Sequence, residues 1–160
     1  MMTLFWRVNP VIDSEIRNAP DSCDSVHTTF ANYGQSTAVG YSQKQLGKWG
    51  ESLAAEHLAA NGYEIVERNW RCRQGEIDIV AWAGLQLVFV EVKTRRGRAM
   101  GSPEESITQR KAQRLTELAT IYAAEMGGEV DWRIDLVAVE LDDAGHLLRC
   151  DHVPNVVLGW

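Results

Sequence analysis

Four ionisable side chains, Glu76, Asp78, Glu91 and Lys93, interrupt the apolar runs of QGEIDIVAWAGLQLVFVEVKTRRGR, residues 74–98. Acids and an amine set this close together have two uses. Exposed to water, they form a charged edge patch paired with arginines of the following loop. Gathered in a site, Asp78 and Glu91 hold a hard dication, Mg²⁺ or Mn²⁺. Such an ion takes oxygen ligands, keeps several waters and needs one or two carboxylates plus a substrate phosphate. Lys93, one pleat beyond Glu91, then stands beside the ion and can orient water or meet developing negative charge.

Two strands must position these residues. Alternation predicts strands over 76–82 and 85–94, joined by the turn Ala83-Gly84. With that turn Trp82 faces Leu85, and Ile77, Ile79, Ala81, Val88, Val90 and Val92 share one apolar face. The opposite face carries Trp82, Val80, Leu87 and Phe89 near the turn, then Asp78, Glu76, Glu91 and Lys93. This register sets Glu76 opposite Glu91 and Asp78 opposite Phe89. Like charges directly opposite destabilise a sheet, so the acids need a compensating cation.

The hairpin sits within a larger pattern. A helix is predicted over 42–61, opened by a Ser42/Gln45 capping box and stopped by Asn61-Gly62. Leu46, Trp49, Leu53, Ala54 and Leu58 form its apolar stripe. Glu51 lies at the edge of that stripe, either with its head in water or reaching into a site beside the sheet. A strand over 63–70 precedes the hairpin, and the basic loop TRRGRAMG follows it. S-P-E-E at 102–105 starts a second helical region that runs to Gly127-Gly128, with a break at Thr108. Its core face is Leu115, Leu118, Ala119, Tyr122 and Met126. Strands over 131–141 and 146–153 close the chain around DDAG, giving the order αβββαββ and a mixed sheet flanked by helices. Residues 1–41 show no sustained period, so a flexible arm is expected there, with translation starting at Val39 as an accompanying hypothesis; residues 42–160 form the domain.

The chain has 160 residues and a net charge of −6, but the positive charge is local. Between residues 68 and 114 lie ten basic and five acidic side chains, so the cations surround the hairpin. Arg71, Arg73, Arg95, Arg96, Arg98, Arg110, Lys111 and Arg114 form a candidate phosphate-holding ring, against the plainer reading of a solvated face. Lys111 falls one helical turn before Leu115, either snorkelling from the core or facing a phosphate. Asp135 and Arg133 share a face of a buried-looking strand and are expected to pair internally. His57 is expected to be packed; Trp49, Trp70 and Trp82 can stack on bases or serve as core. Three widely spaced cysteines suit a reducing cytoplasm and argue against a disulfide framework. No apolar run is long enough to span a membrane. The apolar tail VVLGW leaves a protein-interaction role open.

The arrangement Asp78 then Glu91-Val92-Lys93, with Glu51 on the preceding helix, resembles the PD-(D/E)xK nucleases, which share the restriction-endonuclease-like fold. More narrowly, GKWGESLAAEHLAANGY, N-W-R, QGEIDIV, FVEVKTR and RIDLVAVE look like the YraN family of bacterial proteins, itself similar to archaeal Holliday-junction resolvases. The match covers about residues 44–157. It implies an α/β fold with an αβββαβ core, and Asp78, Glu91 and the Val92 backbone carbonyl as metal ligands. It implies Lys93 as the catalytic lysine and Glu51 as an acid reaching the metal directly or through water, and Glu76 matches a family position whose role it leaves unassigned. The superfamily's proline is replaced by Ile77. The implied activity is Mg²⁺- or Mn²⁺-dependent hydrolysis of phosphodiesters in branched or structured DNA, or silent binding of the same substrate. A homodimer is compatible with either.

Overall fold

The computed structural model of the protein describes residues 42–97, 107–127 and 129–157. The predicted N-terminal arm, the S-P-E-E helix start and Arg98 lie outside those residues. Helix α1 (Gln43–Ala60) is followed by strands β1 (Glu64–Cys72), β2 (Gly75–Ala83) and β3 (Gln86–Arg96). Helix α2 (Gln109–Glu125), β4 (Trp132–Leu141) and β5 (Leu147–Val153) complete the order. The five strands form one sheet in the order β1-β2-β3-β4-β5, with β3 and β4 parallel and the other pairs antiparallel. A parallel pair needs a crossover, and α2 lies in that connection.

Each helix covers one face of the sheet. Leu53, Ala54, Ala55 and Leu58 of α1 pack on Ile79, Val88, Val90, Val92, Val137 and Val139. Leu115, Leu118, Ala119 and Tyr122 of α2 pack on Val80, Leu87, Phe89 and Ile134. Consecutive β3 residues thus serve opposite cores, which is why β3 reads as a continuous apolar run. Full burial of a side chain such as Phe89 contributes about 1.5–3 kcal/mol. Met126, expected on the α2 stripe, is the helix C-cap and is exposed. Val156 and Val157 of the apolar tail pack against the α2-side core. Among the described residues no helix is long and apolar enough to cross a membrane.

The helix starts follow local chemistry. Ser42 accepts from the Gln45 backbone N–H while Gln45 reaches back, completing the expected box. Helix α2 is capped by Thr108, where the sequence suggested a break. At Gly50 the helix comes so close to β3 that an added Cβ would lie 1.8 Å from Thr94 Oγ1. Glycine at this position lets α1 lie against the sheet and delivers the next residue, Glu51, to the strand surface.

The β2–β3 register differs from expectation. The loop is Gly84-Leu85, with Ala83 paired to Gln86 and Ile79 to Val90. Gly84 takes φ +63°, the left-handed conformation that the first residue of a two-residue hairpin loop needs. Leu85, placed in a strand by its apolar character, is 88% exposed at the tip. Each residue moves two positions along its partner. Because side chains alternate with period two, the shift preserves the faces of Ile79–Ala83 and Val88–Val92. Ile77 is the exception, packing in the α2-side core with Val80 rather than beside Ile79.

Candidate functional site

The sheet forks at Asp78. Gly75, Glu76 and Ile77 of β2 pair with Cys72, Arg71 and Trp70 of β1, while Glu91–Arg96 of β3 pair with β4. Pairing between β2 and β3 themselves spans Ile79–Ala83 and Gln86–Val90, so the strands part where Asp78 and Glu91 begin. A parting ladder leaves backbone groups without partners. Asp78 answers one of them: its Oδ2 accepts the Val92 N–H at 2.8 Å. The acid therefore sits in the crotch of the fork, one oxygen fixed by backbone. Among the described residues its second oxygen takes no hydrogen bond.

Burial pushes the Asp78 carboxyl from 3.8 up to about 7, with the Glu91 and Glu51 charges adding to the rise. The Val92 N–H and the Lys111 ammonium oppose the shift without cancelling it. Glu91 is held by Lys111, whose Nζ donates to Glu91 Oε1 from the first turn of α2. Glu51 Oε2 accepts from Asn69 Nδ2 at 2.9 Å. Asn69 lies on β1 between the paired residues Arg68 and Trp70, level with Asp78, and has φ +56°. Lys93 is half-buried on β3, on the same face as Glu91. Asp78, Glu91, Glu51 and Lys111 are thus brought together, with Lys93 alongside.

Several expected contacts are replaced. Glu76 does not face Glu91; it pairs across β1 with Arg71, and their side chains meet at 3.0 Å on the exposed surface. Asp78 does not face Phe89, which pairs with Val80. The ammonium contacting the acids is that of Lys111, not Lys93. The Glu76 and Asp78 misplacements follow from the hairpin register and the fork. Asn69 enters the sequence only as the first residue of N-W-R, without a role; a strand asparagine is a signal, since asparagine is depleted in strands and tolerates the left-handed region.

The basic ring is partly placed. Arg73, Arg96 and Arg110 are exposed; Arg95 is half-buried; Arg114 donates to the Gln74 carbonyl at 2.9 Å, bracing the β1–β2 turn. Helix α2 holds Arg110, Lys111 and Arg114 in its N-terminal half and Glu117 and Glu125 in its C-terminal half, with no acid in its first turn. This is the reverse of what the helix dipole favours, and each misplaced terminal charge costs about 0.3–1 kcal/mol. A charge order that opposes helix stability concentrates positive potential beside the fork.

A separate buried network lies on β4 and β5. Asp135, fully buried, accepts from Arg133 Nε at 2.9 Å and the Asn155 N–H at 2.8 Å, and meets His152 Nε2 at 2.8 Å. Burial raises its pKa, but bonds from His152, Arg133 and Asn155 overrule that and hold it below the usual carboxylate range. Arg133 also donates to Tyr63 Oη at 2.9 Å. The expected Arg133–Asp135 pair is therefore part of a saturated structural cluster. His57 is half-buried as expected, and burial followed by the nearby His152 lowers its pKa. Trp70 is core; Trp49 and Trp82 pack at its margins. Cys72 and Cys150 are free thiols.

Residues 50–139, which include Glu51, Asn69, Asp78, Glu91, Lys93 and Lys111, match the sequence model of Uncharacterised protein family UPF0102. The chain belongs to the UPF0102 family. It is 47% identical over 115 residues to a UPF0102 protein of Roseiflexus castenholzii, covering 71% of this chain and 93% of that one. It is 50% identical over 113 residues to one of Symbiobacterium thermophilum, covering 70% and 95%. A UPF0102 protein of Frankia casuarinae is 55% identical over 109 residues, covering 68% and 92%.

Proposed function

We propose that the protein is a metal-dependent nuclease that hydrolyses phosphodiester bonds in branched or structured DNA. The carrying observation is the fork. It buries Asp78 beside Glu91 and Glu51 with too little positive charge to keep Asp78 an ordinary acid. The donor set fits Mg²⁺ or Mn²⁺. Among the described residues no three His, Cys, Asp or Glu side chains form a metal-binding cluster, but a hexahydrate-preferring cation is held by two carboxylates and its own waters. Asp78 and Glu91 would hold it, with the Val92 carbonyl and Glu51 as further oxygen donors. When bound, such an ion polarises a phosphate and makes water more acidic.

The chain's own groups do the rest. Lys93 orients the attacking water or meets charge on the phosphate oxygens. Asn69 fixes the rotamer of Glu51 so that its carboxylate stays with the site. Arg95, Arg96, Arg110 and Arg114 hold the sugar-phosphate backbone, and Arg71 and Arg73 extend the basic surface. Backbone contacts position without reading bases, which favours shape over sequence in the substrate.

A second reading has its own support. Glu91 is already paired with Lys111, as suits a nuclease-like module that binds branched nucleic acid without cutting it. Labelled forks, flaps and four-way junctions, incubated with Mg²⁺ or with chelator, separate the two. The nuclease reading expects cleavage with Mg²⁺ alone, lost in Asp78→Ala and Lys93→Ala while both variants still fold. Binding without cleavage across the panel establishes the module instead.

A further inference from the structure

Lys111 stands where its own helix disfavours it, in the first turn of α2 beside Arg110. Its backbone is pinned, since its N–H donates to the Thr108 cap at 3.3 Å. Its side chain turns to the sheet, and its ammonium lies on Glu91 Oε1 with the Glu91 side chain 14% exposed. Of the three acids at the fork, Glu91 is thus the one already neutralised from within. The same carboxylate is a ligand in the metal reading. The ammonium occupies Glu91 Oε1, and a dication bound at the other oxygen would stand next to it and be repelled.

We propose that Lys111 is an internal stand-in for the dication: it holds Glu91 in the metal-free protein and is displaced from it when the metal binds. This inference rests on the metal reading given above. The fixed backbone and flexible four-carbon stem of the lysine make the exchange a side-chain movement, with α2 staying in place. The stand-in keeps the crotch from holding Asp78, Glu91 and Glu51 as three uncompensated acids. It also lowers the metal affinity, since an ion at Glu91 must either displace the ammonium or bind against its repulsion.

Mn²⁺ titration of the whole chain, followed calorimetrically, tests this with Lys111→Met and Lys111→Arg. Methionine keeps the stem and removes the competitor, so Mn²⁺ should bind about tenfold tighter. Arginine stays charged and grips a carboxylate with two donors, so Mn²⁺ should bind more weakly than to the unaltered chain. In thermal unfolding with chelator the methionine variant should melt below the unaltered chain, and Mn²⁺ should raise its melting temperature by the larger amount. Equal Mn²⁺ affinity in all three proteins would overturn the stand-in role and leave the metal site intact. Absence of Mn²⁺ binding from all three would overturn the metal reading and the inference with it. If the methionine variant does not fold, arginine decides: unchanged or tighter binding refutes the exchange.

Discussion

Asp78 carries two demands that conflict. Its carboxylate closes the fork by accepting the Val92 N–H, and that geometry requires burial beside two other acids. The outcome is a carboxyl that titrates at about 7 instead of 3.8. Between those values the folded chain holds a proton that the unfolded chain has already lost. Without metal, stability therefore falls as pH rises from about 4 to about 7 and stays low above that, with a ceiling of about 4 kcal/mol from the size of the shift. Asp78→Asn keeps an oxygen for Val92 and loses the charge. We expect it to be more stable than the unaltered chain in chelator at pH 8, with the gap closing toward pH 4. Urea unfolding of both proteins across that range checks this, and a gap independent of pH refutes the account of Asp78. A residue retained against stability is the usual mark of a functional position.

Helix α2 makes the same trade at the level of an element. Its basic N-terminal half opposes its dipole, yet it puts the Lys111 ammonium on Glu91 at the fork. Reversing its exposed neighbour, Arg110→Glu, should stabilise the fold by about 0.5–1 kcal/mol. It should also weaken DNA binding and lower the slope of log affinity against log salt by about one. Melting curves and a salt titration report the two effects, and weaker binding without added stability would contradict the dipole argument. The element scale also shows what was legible. Helix α1, its capping box and its stripe followed from spacing alone. The hairpin did not, because Ala83-Gly84 and Gly84-Leu85 fit the same alternation and differ in which loop position needs positive φ. The fork was invisible, since strand periodicity says nothing about where one ladder ends and another begins. Lys111 pointed inward by its spacing, but its partner depended on that fork.

For the whole molecule, the net charge of −6 argues against a polyanion partner, and its distribution argues the other way. The order αβββαββ and a mixed sheet flanked by helices were readable because β3 and β4 are apolar runs separated by a helical segment. The Arg133–Asp135 network could be anticipated as a pair but not as a larger cluster, since Tyr63, Gln86, His152 and Asn155 come from distant points of the chain. Its saturation contrasts with the unbalanced charge at the fork, and that contrast favours the fork as the candidate site. The most direct test of the central claim is anomalous diffraction from crystals soaked in Mn²⁺. The account predicts one strong peak about 2.1 Å from carboxylate oxygens of both Asp78 and Glu91, with the Lys111 ammonium moved off Glu91. Empty density between the two acids at saturating Mn²⁺, with Lys111 still on Glu91, would contradict it.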